Sequence, residues 1–195
     1  MDICFATNNA HKVQEINQLL GPPFRVLSLA DIGCAEELPE TQDTLAGNSE
    51  EKATYVHQRY KINCFADDTG LEVDALDGRP GVHSAHYAGP QRDSADNMQL
   101  LLRELADKSD RSAQFRTVIT LWLNDAMHQF EGTVRGSIAT ERSGEQGFGY
   151  DPIFIPVGHS RSFARMTTEE KNELSHRGRA VRQLVQFLTN HVPHE

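Results

Sequence analysis

Short apolar runs alternate with amphipathic stretches of helical period along the chain, and that alternation restricts the fold to the α/β class. Met1–Ala6 reads as a buried first strand. Val13, Ile16, Leu19 and Leu20 mark the inner face of a helix that Gly21, Pro22 and Pro23 stop. A second helix starts near Asp43 or Thr44, either of which can cap it, and carries Leu45, Ser49, Ala53, Val56 and Tyr60 at its three-and-four spacing. Asn63–Ala66 is a short strand running into Asp67 and Asp68, and Leu71–Leu76 is another. After a glycine-rich loop, Gly78–Gly89, a third helix carries Met98, Leu101, Leu102 and Leu105. Phe115–Leu123, rich in β-branched and aromatic residues, pairs with a strand between Gln129 and Thr140. A loop over Arg142–Gly149, a short strand at Ile153–Ile155 and a capping box at Thr167 and Glu170 precede a last helix carrying Val181, Leu184, Val185 and Leu188. The expectation is one domain over residues 1–195, an α/β fold with a mixed central sheet flanked by helices, with room for two lobes.

Charge and cysteine usage exclude several function classes. A formal net charge of −9 opposes tracking along a nucleic-acid backbone, although a few converging cations can still hold a small anion. No stretch is long enough to span a membrane, and no basic segment precedes the first apolar run as in a secretory signal. Cys4, Cys34 and Cys64 are an odd, widely spaced set, which reads as reduced thiols of a cytoplasmic protein. Their equal spacing of 30 has no counterpart in the flanking residues and is read as chance.

Thr7–Lys12, TNNAHK, lies where a strand turns into a helix. Free backbone N–H groups and the positive helix end suit a phosphate there, and Lys12 adds a full charge. The glycine spacing of a P-loop is absent, and Asn8 or Asn9 can equally serve only to cap the helix. Asp67 and Asp68 follow a short apolar run. Neighbouring strand residues face opposite ways, so the two do different jobs: one orients backbone groups and the other can hold a hard cation such as Mg²⁺. A capped turn is the alternative. Asp68-Thr69-Gly70 also invites comparison with aspartic proteases, but their shared proton needs a second such motif or a partner chain, and the preceding Asp67 argues against that reading. Glu40 can complete a metal site or merely complement a helix dipole, and Lys52 lies twelve residues on.

Gly147–Phe154, GFGYDPIF, displays an aromatic ring between two glycines. Such a ring can stack on a base; the alternative makes Phe148 or Tyr150 a core anchor. Lys171, His176 and Arg177 cluster at the start of the last helix, with Ser175 available as its cap. Cations there oppose the dipole unless an anion or polar ligand joins them. His83 and His86 have no third ligand at matching spacing and read as surface or lining residues.

ATNNAHK, ADDTGLEVDALDGRPGVHSAHYAG, GFGYDPIF and FARMTTEEKNELSHRGRAV, in that order over nearly the whole chain, resemble the inosine triphosphate pyrophosphatase family, also called the Ham1-like family. The resemblance implies an elongated two-lobed fold with the active-site cleft between lobes, and a homodimer. It implies Mg²⁺-dependent cleavage of ITP, dITP or XTP between the α- and β-phosphates, which keeps such nucleotides out of DNA and RNA. Carried over by position, Asp68 resembles the metal-binding, water-activating carboxylate, with Glu40 as second metal ligand. Thr7, Asn8, Asn9, Ala10, His11, Lys12, Lys52, Thr69 and Lys171 match positions that hold phosphate or sugar. Phe148, Gly149, Tyr150, Asp151, His176 and Arg177 match the base pocket. Arg165 stands where the family usually has glutamate, and His86 where many relatives have arginine. The rivals are a Maf-like pyrophosphatase preferring modified pyrimidine nucleotides and a nucleotide-sensing module without turnover.

Overall fold

The computed structural model describes residues 1–191. Its strands are β1 (Asp2–Phe5), β2 (Arg25–Leu27), β3 (Cys64–Val73), β4 (Pro80–Gly81), β5 (Ser112–Leu123), β6 (Ala126–Ile138) and β7 (Phe154–Pro156). Its helices are α1 (Ala10–Leu19), α2 (Leu45–Tyr60), α3 (Ser94–Glu104), α4 (Thr168–Leu174) and α5 (His176–His191). The strand order is β2-β1-β3-β5-β6-β7, with β4 beside β3. β1 is parallel to β2 and β3, whereas β4 on β3 and β7 on β6 are antiparallel, so the sheet is mixed and the α/β class holds.

The chain divides into two compact units. Met1–Asp68, Thr117–Gly132 and the chain from Arg177 form the first. Here the period-two geometry of strands decides everything that follows. Ile3 and Phe5 of β1 and Phe65 of β3 pack with Ile16 of α1 and Val181 and Leu184 of α5. Cys4, Ala6, Cys64 and Ala66 point the other way and pack with Ala53 and Val56 of α2. With both faces covered, the strands must be apolar at successive positions, which explains the unbroken runs in the sequence. Cys4 and Cys64 are cross-strand partners and share their cluster with Cys34, so the three cysteines do converge.

Thr69–Arg116 and Thr133–His176 form the second unit. Its core joins Leu71 and Val73 of β3, Met98 and Leu101 of α3, Phe115 of β5, and Phe154 and Phe163. Phe154 and Phe163 each lie against Phe115, with ring centroids 4.6 and 6.2 Å away.

Three expected helix starts are in place. Asn9 caps α1, Thr44 caps α2, and Thr167 and Glu170 form a reciprocal capping box on α4. Ser175 closes α4, its N–H donating to the Lys171 carbonyl. Three strand readings change. Asn63–Ala66 and Leu71–Leu76 are not two strands: β3 runs unbroken through Asp67 to Val73, and a 3₁₀ turn takes over at Asp74. β2, only three residues long and starting two residues after Pro23, is too short to show a period. The strand expected at Ile153–Ile155 sits one residue later, because Asp151–Ile153 forms a 3₁₀ turn.

Candidate active site

Parity along β3 sends the two adjacent carboxylates to opposite faces. Asp67 shares the face of Phe65, so it meets α1 and α5. Asp68 shares the face of Ala66, so it meets α2. Each meets a different set of cations.

Asp67 is 1% exposed. Lys12 Nζ of α1 donates to its Oδ1 at 2.8 Å, and Arg177 Nε of α5 donates to its Oδ2 at 3.3 Å. Arg177 also pairs with the buried Glu15 of α1. Burial opposes ionisation of Asp67, but Lys12, Arg177 and Lys52 outweigh it and hold the carboxyl well below the usual range. Burial dominates at Lys12, and with Lys52 and Arg177 it lowers that ammonium's pKa against the pull of Asp67. At Arg177 burial is overcome by Glu15 and Asp67, which raise its pKa.

Asp68 has the opposite balance. Its Oδ2 accepts from Asn48 Nδ2 at 3.2 Å, and its Oδ1 lies 3.6 Å from Lys52 Nζ. Lys52 Nζ also donates to Glu40 Oε1 at 2.6 Å. Burial, with the like charges of Glu40 and Asp67, lifts the Asp68 pKa above its ordinary value, and Lys52 and Lys12 only partly offset them. Lys52 loses to burial but gains more from Asp68, Glu40 and Asp67, so it stays an ammonium. Asp68 is therefore the more basic carboxylate of the two. Among the described residues no three His, Cys, Asp or Glu side chains converge to hold a metal alone. Two carboxylates sharing one ammonium nevertheless suit Mg²⁺, which takes one or two carboxylates and fills its remaining positions with water and substrate phosphates.

At the start of α1, Asn9 acts as the cap. Its Oδ1 accepts from the N–H groups of His11 and Lys12, and Thr7 Oγ1 accepts from Asn9 N–H. Asn8, Ala10 and His11 are exposed, and Thr69 is half-buried in β3.

The second unit holds its own cluster. Asp151 Oδ2 accepts from Phe148 N–H at 2.9 Å and from Lys171 Nζ at 2.8 Å. Both charges are buried, and Lys171 Nζ lies 4.8 Å from the Phe148 ring centroid. Gly147 has φ +75°, and a Cβ there would fall 2.1 Å from Asp151 Oδ2, so only glycine lets the loop close on this carboxylate. Gly149, at φ +61°, turns the loop again. Tyr150 proves to be the core anchor: it is buried and donates to the Ser84 carbonyl at 2.8 Å. Phe148 is half-buried. His176 is 3% exposed and stacks on Phe115 at 4.5 Å.

The structure thus groups Lys12, Glu40, Lys52, Asp68 and Arg177 in the first unit, and Phe148, Asp151 and Lys171 in the second. Glu15 and Asn48 were missed. Both are polar residues on buried helix faces, Glu15 beside Ile16 and Asn48 one turn before Lys52, and that mismatch was their only signal. His83 and His86 contact each other, Nδ1 to Nε2 at 3.3 Å, on an exposed turn. Arg165 donates to Ser143 Oγ at 3.3 Å.

The Ham1 family model matches residues 3–187. A protein of Flavobacterium psychrophilum named dITP/XTP pyrophosphatase is 53% identical, over 97% of this chain and 100% of its own. A Porphyromonas gingivalis protein of the same name is 53% identical, over 95% and 96%. The solved structure of a HAM1 protein from Coxiella burnetii superposes with a TM-score of 0.90 at 37% identity, covering 97% of this chain and 99% of that one. Matched from its first strand into its last helix, the chain belongs to the Ham1 family.

Proposed function

We propose that this chain is a Mg²⁺-dependent nucleoside-triphosphate pyrophosphatase that converts dITP, ITP and XTP to the monophosphate and pyrophosphate. The observation that carries the reading is Asp68: a carboxylate made basic by burial, beside Glu40 and held to Lys52. The names of the similar bacterial proteins agree with it.

Water attacks the α-phosphorus, the bond to the β-phosphate oxygen breaks, and the water proton passes to Asp68. Bound Mg²⁺ would offset triphosphate charge and lower the pKa of the attacking water. Asp68 and Glu40 would supply its protein oxygens. Lys12 and Lys52 stabilise charge on the transferring and leaving phosphates, and Lys171 adds a further ammonium for phosphate or sugar. Phe148 stacks on the base. His176 and Arg177, adjacent at the start of α5, read its 6-keto edge, with Arg177 oriented by Glu15 and Asp67. Arginine only donates, so it favours a keto oxygen over the adenine amino group. The enzyme works in the cytoplasm as a homodimer and removes non-standard purine nucleotides before polymerases use them.

A panel of dITP, XTP, ITP, dATP, dGTP and a modified pyrimidine triphosphate tests the reading. Pyrophosphate release should be fastest from the first three. Preference for the pyrimidine substrate would favour a Maf-like specificity, and no release from any would leave a binding module. Sedimentation velocity tests the dimer.

A further inference from the structure

We infer that Asn48 is a positioning residue that fixes the separation of the Glu40 and Asp68 carboxylates. The inference rests on the pyrophosphatase reading of those two groups. Asn48, Glu51 and Lys52 stand at i, i+3 and i+4 of α2 and share one helix face. All three engage Asp68 or the segment that carries Glu40. Lys52 Nζ reaches Glu40 and Asp68 as described. The Glu51 carboxylate accepts from Thr41 N–H and Thr41 Oγ1, each at 2.7 Å.

Asn48 differs because its uncharged side chain bonds both elements at once. Its Oδ1 accepts from Gln42 N–H at 2.9 Å, and its Nδ2 donates to Asp68 Oδ2 at 3.2 Å. One planar amide therefore ties the loop bearing one carboxylate to the strand bearing the other. The amide can sit only one way round: a flip would set its NH₂ against the Gln42 N–H and its oxygen against the Asp68 carboxylate. Asn48 is 5% exposed, so water does not readily replace either bond. The preceding residue supports the same fit. A Cβ on Gly47 would come 2.8 Å from Gln42 Cβ, so the loop rests on helix backbone with no room for a side chain. With Oδ2 engaged by Asn48, Oδ1 is the Asp68 oxygen that faces Lys52 Nζ, 3.6 Å away.

Two variants separate the two bonds. Asn48→Leu keeps the size but neither donates nor accepts. Asn48→Asp keeps an acceptor for Gln42 N–H, loses the donor to Asp68 and sets a second carboxylate oxygen against Asp68 Oδ2. Steady-state turnover of dITP, titration of the protein alone with Mn²⁺ by electron paramagnetic resonance, and amide exchange at Gln42 are read for each. In both variants kcat should fall about tenfold or more while KM for dITP stays within about threefold, since positioning acts on the reacting geometry rather than on nucleotide capture. In Asn48→Leu the Gln42 amide should exchange about tenfold faster and Mn²⁺ should bind about threefold more weakly; in Asn48→Asp Gln42 should exchange at the wild-type rate. A folded variant of either kind with kcat within about threefold of wild type overturns the inference. If Asn48→Leu fails to fold, Asn48→Asp carries the test. Wild-type protein that releases no pyrophosphate defeats the pyrophosphatase reading alone. In that event, unchanged Gln42 exchange and Mn²⁺ binding in Asn48→Leu overturn the positioning role.

Discussion

Removing the charge of Asp67 and of Asp68, one residue apart, should move stability in different ways. Asp67 is buried between Lys12 at 2.8 Å and Arg177 at 3.3 Å, themselves 14% and 3% exposed at the side chain. Asp67→Asn leaves two buried cations short of a partner, and breaking a buried pair in this way costs about 3–5 kcal/mol. At about 2–4 °C per kcal/mol for a chain of this size, the melting temperature should drop by roughly 6–20 °C. Asp68 is held above its ordinary pKa, so its ionised form is less favourable in the fold than in the unfolded chain. Asp68→Asn removes that penalty, and Lys52 keeps Glu40 at 2.6 Å. This variant should melt at or above wild type while turnover falls by about 10²-fold or more. The pH dependence supplies the sign. Because the Asp67 pKa is depressed by folding, its contribution is complete above the unfolded value of about 3.9 and fades as pH falls through the lower folded value. The gap between wild type and Asp67→Asn should therefore narrow below about pH 4. Calorimetric melts of the three proteins from neutral to acid pH decide the matter. An Asp67→Asn melt matching wild type at neutral pH would refute the ion-pair reasoning, as would a large loss of stability in Asp68→Asn.

Phe148→Ala should weaken binding of an inosine nucleotide by roughly ten- to a hundredfold, since stacking on a base is worth about 1–3 kcal/mol; titration without metal checks this, and unchanged affinity would make Phe148 a loop anchor. Arg177→Ala should depress kcat/KM for ITP more than for ATP, and equal losses would confine Arg177 to its ion pairs with Glu15 and Asp67. Burial, aided at Cys4 by Cys34 and Asp31 and at Cys64 by Cys4, pushes the Cys4 and Cys64 thiols up to about 12. Neither should therefore be alkylated by iodoacetamide at pH 8 until the protein is unfolded, which mass spectrometry of folded and denatured samples would show.

The helix starts were legible because capping is local: Thr44 and the Thr167–Glu170 box act within three residues of the groups they satisfy. That Asp67 and Asp68 face opposite sides of β3 was also legible, since strand parity alone separates neighbours. Their partners were not. Arg177 lies 110 residues from Asp67 and 162 from Glu15, and no local pattern records such pairings. β3 read as two strands because Asp67, Asp68, Thr69 and Gly70 interrupt its apolar run. The fold pairs Asp67 and Asp68 with cations from three helices, and the extended backbone continues. Asn48 escaped notice because a lone buried amide carries no charge to mark it, although its neighbours Ser49 and Lys52 were singled out.

The most direct measurement follows the phosphorus products of dITP with Mg²⁺, for wild type and Asp68→Asn, by ³¹P nuclear magnetic resonance. Cleavage at the α-phosphorus by a water activated at Asp68 should yield equal amounts of dIMP and pyrophosphate, no orthophosphate, and almost nothing from Asp68→Asn or after chelation of the metal. Orthophosphate with dIDP as the first products, or undiminished pyrophosphate release by folded Asp68→Asn, would contradict it.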